Sequence, residues 1–125
     1  MSDSNADDKS APSHQVTTRP WPGRVRACYG ERVLADSENA LLLEETRHNP
    51  VYYFPVADVR MDWLQSNEHS SHCPFKGQAS YWNFHADGAS DENLAWAYQN
   101  PIAEAAAIRG HIAFYPDRVS IQADE

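Results

Sequence analysis

Five consecutive residues constrain this chain more than any others: Leu94, Trp96 and Tyr98 alternate with Ala95 and Ala97. Large side chains at every second position, with small ones between, fit a β-strand covered on both faces rather than a helix. The same grammar runs through the chain from Arg24 onward. Short β-branched or aromatic runs are punctuated roughly every eight to twelve residues by Gly, Pro, Asn or Asp, the rhythm of a β-rich domain. Residues 24–29 and 32–36 flank Gly30-Glu31, and glycine at the first of two loop positions suits a type II′ hairpin. Residues 40–44 and 51–54 predict two further strands, separated by a polar run. Residues 78–86 and 93–99 predict a pair joined around Asp87-Gly88, and residues 111–115 and 118–122 a closing hairpin across Pro116-Asp117.

Two short helices are expected between these strands. Asp58 is placed to cap residues 59–64, where Val59 and Trp63 stack at i,i+4. Residues 101–109 carry Asn100 as N-cap, Pro101 at the first position, an Ala-rich body and Gly110 just past the end. Residues 65–74, rich in Ser, Asn and His, read as a polar loop. Residues 1–19 contain no aromatic residue and, after Met1, only Val16 as a sizeable aliphatic. Such a stretch cannot offset an ordering cost of ~1–2 kcal/mol per residue, so it reads as a flexible tail before a single domain over 20–125. The expected fold is all-β to β-rich α+β: two packed antiparallel sheets of about eight strands with two short helices.

Charge narrows the partners. Eighteen acidic residues against ten basic ones give a net −8, which disfavours a nucleic-acid backbone or an anionic membrane. No apolar run approaches the ~18 residues of a spanning helix. Residues 1–10 lack the basic-then-apolar layout of a secretory signal. Two cysteines, Cys28 and Cys73, are too few for a disulfide framework and fit a reducing, cytoplasmic setting. Phosphate-binding glycine spacing, a Gly-x-Ser-x-Gly elbow and a His-Glu-x-x-His helix are all missing, and no cofactor is expected.

The densest chemical cluster runs from His69 through His72 and Cys73 to Lys76. Imidazoles and a thiol are zinc ligands, but no Cys-x-x-Cys pair supplies the usual knuckle, so solvated loop histidines are expected and no metal. Cys73 is a nucleophile if a neighbour lowers its pKa, and otherwise a structural, half-buried thiol. Lys76 is the only lysine after Lys9, where every other basic residue is arginine. It reads either as a fixed point charge for an anionic ligand or as an ordinary lysine. Tyr53, Tyr81, Trp96 and Tyr98 read as core or as the walls of a pocket, since their polar tips need partners. Glu44 ends the run Leu41 to Leu43 on the face of Leu42; inward, it needs a cation, with Arg24, Arg26 or Lys76 as candidates. Asp58 is a second carboxylate for such a pocket, or for an acid/base pair with Glu44.

The chain resembles the domain-of-unknown-function family numbered 427. The resemblance rests on Arg24-Val25, Val33 to Ser37, Leu43-Glu44, Tyr52 to Pro55 and Asp58-Val59 in the first half. In the second it rests on Cys73 to Gly77, Ala79 to Trp82, Ala95 to Tyr98, Pro101 and Ile108 to Tyr115, and in all it covers about residues 20–122. It implies a β-tent-like domain, two antiparallel sheets pinned along one edge. Related tents hold a structural zinc between Cys-x-x-Cys pairs, which this sequence lacks. The family is sometimes labelled nucleotidyltransferase, but the Gly-Ser and paired carboxylates of that chemistry are missing here. Tent domains binding small ligands in aromatic pockets offer an analogy of fold only.

Two functions compete. The first is binding of a small, possibly anionic molecule between the sheets, with Lys76 on its charge, Tyr53, Tyr81, Trp96 and Tyr98 as walls, and Glu44 and Asp58 as polar contacts. The second is an enzyme using Cys73, Lys76 or Glu44 in nucleophilic or acid/base work. A protein-interaction module, such as a homodimer through an open strand edge, is a third reading.

Overall fold

The alternation at residues 95–98 is realised inside a seven-stranded antiparallel sheet. The computed structural model describes residues 14–124. Ten strands are present among them: β1 (Val16–Pro20), β2 (Val25–Tyr29), β3 (Arg32–Ser37), β4 (Leu41–Glu45), β5 (Val51–Pro55), β6 (Leu64–Cys73), β7 (Gly77–Ala86), β8 (Ala89–Tyr98), β9 (His111–Phe114) and β10 (Ser120–Ala123). The large sheet has the order β1-β4-β5-β9-β8-β7-β6, and a three-stranded sheet has the order β10-β2-β3.

Apolar residues of both sheets meet in one core. Val25, Ala27 and Leu34 of the small sheet pack with Phe54, Phe84, Ala95, Ile112 and Phe114 of the large one. The sheets are also joined at an edge, where Ala35 of β3 bridges Val59 and the Arg60 N–H donates to the Leu34 carbonyl at 2.8 Å. This is the two-sheet arrangement expected from the sequence. The opposite face of the large sheet carries a second core, with Leu43, Tyr53, Ala79, Tyr81, Tyr98 and Ala113 beneath Ala105 and Ile108.

Local chemistry accounts for the hairpins. Gly30 takes φ 60° in the two-residue loop between β2 and β3, as a type II′ turn requires. Asp87 and Gly88 both have positive φ between β7 and β8. In β8, Trp96 and Tyr98 face the second core while Ala95 and Ala97 face the first. Leu94 departs from the expected phase and packs with Ala95, because Asn93, at φ 53°, interrupts the alternation just before it.

Several expectations are corrected. Residues 14–19 are not tail: Val16–Pro20 pairs with β4 along the sheet edge, from Val16 opposite Glu45 to Pro20 opposite Leu41. Residues 1–13 of the expected tail lie outside the described residues. Residues 65–73 are not loop but most of β6, an edge strand whose two sides are largely exposed and so carry no apolar alternation. Neither expected helix is α: residues 59–64 hold only the 3₁₀ turn Met61–Trp63, with Asp58 ending a separate turn at Val56–Asp58 instead of capping it, and residues 101–109 hold the 3₁₀ run Ala103–Ile108, kinked at Ala105. No described helix is long and apolar enough to cross a membrane. The closing pair is not a hairpin, since β9 pairs with β5 and β8 while β10 crosses to β2 in the other sheet.

Candidate functional site

The segment from Cys73 to Gly77 is the turn joining β6 to β7, and it is clamped at three points. The Lys76 N–H donates to the Cys73 carbonyl at 3.2 Å, and the Lys76 carbonyl accepts the Ile102 N–H at 2.9 Å. Gly77 has φ 117°, and a Cβ there would lie 3.2 Å from the Asn100 carbonyl oxygen, so only glycine fits without strain. The third clamp is ionic: the Lys76 ammonium donates to the carboxylate of Glu45, the last residue of β4.

Glu45 is buried, its side chain 5% exposed, and Lys76 nearly so at 14%. The second Glu45 oxygen accepts from His14 Nε2 at 2.7 Å, and His48 lies 3.8 Å away. His14 in turn stacks on Phe75, ring centroids 3.8 Å apart. Burial alone would raise the Glu45 pKa. Hydrogen bonds from Lys76 and His14, with the Lys76 charge, outweigh it and hold the carboxyl below its usual range. The carboxylate therefore stays charged and fully engaged.

Beside this pair lies the aromatic layer. The Lys76 ammonium is 5.8 Å from the Tyr98 ring centroid. Tyr53, Tyr81 and Tyr98 are at most 8% exposed, and half-buried Cys73 and Trp96 pack against them. The indole N–H of Trp96 donates to the Tyr53 hydroxyl at 3.2 Å, and the Tyr81 hydroxyl bonds Ser71 Oγ at 2.7 Å. Burial raises the pKa of Tyr53 and of Tyr98, and pushes Tyr115, at the same layer's margin, up to about 12. The structure thus brings Cys73, Lys76, Tyr53, Tyr81, Trp96 and Tyr98 together, without Glu44 and Asp58. It gathers them as a filled layer on the outer face of the large sheet, not around a hollow between the sheets.

Two candidates stand apart. Glu44 lies on the opposite side of β4 from Glu45, half-exposed, 3.7 Å from Arg19. The residue that meets Lys76 is its neighbour, which sequence reasoning missed. Arg24, another candidate partner, forms a two-pronged pair with Asp36. Asp58 accepts a 2.6 Å hydrogen bond from Ser37, which it holds at the corner where the sheets join. Glu44 and Asp58 therefore have other partners and do not form an acid/base pair through these contacts. Among the described residues no three His, Cys, Asp or Glu side chains gather closely enough to hold a metal ion.

Two larger hollows lie away from this layer. An apolar hollow of about 230 Å³ is lined by Val56, Met61, Trp82, Ala97 and Ile112, with Gln99 and His111 as polar members beside Gly110. Ala97 and Ile112 belong to the inter-sheet core, and Met61 and Trp82 pack against it. The hollow therefore opens on the face of the large sheet that looks toward the small one. A polar hollow of about 300 Å³ is lined by Asn67, His69, Asn83, Glu92 and Asn93.

Fold and site together define an all-β domain of two antiparallel sheets whose motif lysine clips a turn to a neighbouring strand. The model of the family described as Domain of unknown function (DUF427) matches residues 17–125, and the chain belongs to that family. The match begins inside β1, in keeping with an ordered strand there. No curated protein matches the chain.

Proposed function

We propose that this domain binds a small, largely apolar, ring-sized molecule in the hollow beneath Val56 and Met61. The observation that carries the reading is the composition of that hollow: apolar walls from Met61, Trp82 and Ile112 with sparse polar groups from Gln99 and His111. This is the usual recipe of a ligand cleft. Its volume of about 230 Å³ falls under the ~300–1,000 Å³ of drug-sized pockets, which favours a ligand of one or two rings. Trp82 offers an aromatic wall, and His111 or Gln99 offers a hydrogen bond to one polar substituent.

This keeps the expected class of function and moves its residues. Lys76 is committed to Glu45, so the preference for an anionic ligand loses its motivation. Of the residues an enzyme would have used, Lys76 is paired with Glu45 and Glu44 faces solvent beside Arg19. At one open edge, strand β6, an irregularity between Ser66 and Ser70 blunts pairing with a second copy. Saturation-transfer NMR with a set of ring-sized fragments (phenols, indoles, cyclic amides) tests the proposal. Fragments should bind the protein and lose roughly tenfold in affinity with Trp82→Ala. Equal binding to Trp82→Ala would place the ligand elsewhere.

A further inference from the structure

The polar hollow owes its existence to two irregularities in the large sheet. Along β6, Ser66 pairs with Trp82 and Ser70 with Ser80, so Asn67 to His69 bulge out of register. Along β8, Ala95 pairs with Trp82 and Asp91 with Phe84, so Glu92 to Leu94 bulge as well. Both bulges flank the same stretch of β7, around Asn83. They deliver Asn67, His69, Glu92 and Asn93 to one concave site about that residue. Bulges cost ladder hydrogen bonds and are used where a side chain must be re-aimed. Asn93 also holds φ 53°, a left-handed conformation that asparagine tolerates better than most residues.

The carboxamides are fixed by one another. Asn67 Nδ2 donates to Asn83 Oδ1 at 2.6 Å and to Asn93 Oδ1 at 2.8 Å, and its Oδ1 accepts the His69 N–H at 2.8 Å. Asn83 Oδ1 also accepts the Asn93 N–H at 3.0 Å. These bonds use both donors of Asn67 and the carbonyl oxygens of Asn83 and Asn93. Among the described residues, the side-chain NH₂ groups of Asn83 and Asn93 have no hydrogen-bond partner, although both residues are half-buried. Each NH₂ carries two donors. The Glu92 carboxylate at the rim accepts only.

We propose that this hollow is a binding site for a neutral polyhydroxylated molecule, a sugar or cyclic polyol. The unspent amide donors call for acceptor oxygens, and Glu92 calls for a donor. A hydroxyl group is both at once, and adjacent hydroxyls on a ring present several such groups at fixed spacing. A simple anion would satisfy the amides but meet Glu92 and the acidic surface; a simple cation would satisfy Glu92 and leave the amides unpaired. His69, tilted against Tyr81 with ring centroids 4.5 Å apart, supplies a flat wall. Asn83 and Trp82 are neighbours on β7 with opposite facing, so this site and the apolar hollow lie on opposite faces of the sheet and are independent.

The test is titration of ¹⁵N-labelled protein with methyl α-D-glucopyranoside, methyl α-D-mannopyranoside, methyl β-D-galactopyranoside and myo-inositol. At least one should give saturable shifts of the Asn83 and Asn93 side-chain amide signals at millimolar concentration. Glu92→Ala, an exposed change that keeps the fold, and Asn93→Gly, which keeps the positive φ, should each weaken that binding by roughly tenfold. Glu44→Ala, an exposed change on β4 away from this hollow, should leave it intact. Absence of shifts with all four probes, equal shifts with inorganic phosphate, or unchanged affinity in Glu92→Ala would each overturn the proposal.

Discussion

Lys76 and Glu45 form an ion pair that ties the turn after β6 to the last residue of β4, with the Glu45 side chain 5% exposed. The pair accounts for the position of the only lysine after Lys9 in structural terms. Removing one partner leaves the other charge buried and unpaired. Lys76→Met should therefore destabilise the fold by about 3 kcal/mol, read from chemical denaturation. The double change Lys76→Met with Glu45→Leu should recover most of that loss, because a buried ion pair is often replaceable by packed apolar groups.

Acid stability should depend on the same carboxylate. Glu45 has a folded-state pKa below its ordinary 4.5, so its contribution is present above that value and is lost as pH falls through the folded value. Glu45→Gln should flatten the decline of stability below about pH 4.5. A decline as steep as that of the wild type would remove Glu45 from this role.

At the alkaline end the sign reverses. Tyr53, Tyr98 and Tyr115 have pKa values raised by burial above the ordinary 10.0. Their contribution is complete below pH 10 and is lost as pH rises toward the folded values. Tyrosinate absorbance of Tyr53, Tyr98 and Tyr115 should therefore appear only above pH 10 and rise together with loss of the fold. Appearance of that signal at or below pH 10 while the fold is intact would contradict the burial of these three phenols.

Gly77→Ala should cost about 1–3 kcal/mol, since φ 117° is a region L side chains rarely adopt and the Asn100 carbonyl stands 3.2 Å from the added carbon. Glu44→Ala should change stability by no more than about 0.5 kcal/mol, as befits an exposed surface pair. Thermal melts of the two variants, run side by side, check both values.

Much of this was legible in the chain, and the failures share a cause. Period-2 alternation placed Trp96 and Tyr98 on one face, and turn chemistry placed Gly30, because these are local rules. In Leu41 to Leu43 all three side chains are buried or half-buried, so alternation gave no phase, and Glu44 rather than Glu45 looked like the inward carboxylate. β6 and β1 escaped notice because edge strands are stabilised by one neighbour's hydrogen bonds and need no apolar face. The Ala-rich run at 103–108 lacked the length for an α-helix and settled as a kinked 3₁₀ turn. Asn67, Asn83 and Asn93 carry no spacing signal at all; only the paired bulges bring them together.

The central functional claim is that ligand enters the apolar hollow and not the aromatic layer. Amide chemical-shift mapping with a bound ring-sized fragment tests it most directly. The account predicts the largest shifts at Gln99, Gly110, His111 and the Trp82 indole, with Tyr53, Tyr98 and Lys76 unmoved. Shifts centred on Tyr53, Tyr98 and Lys76, with the hollow silent, would contradict it.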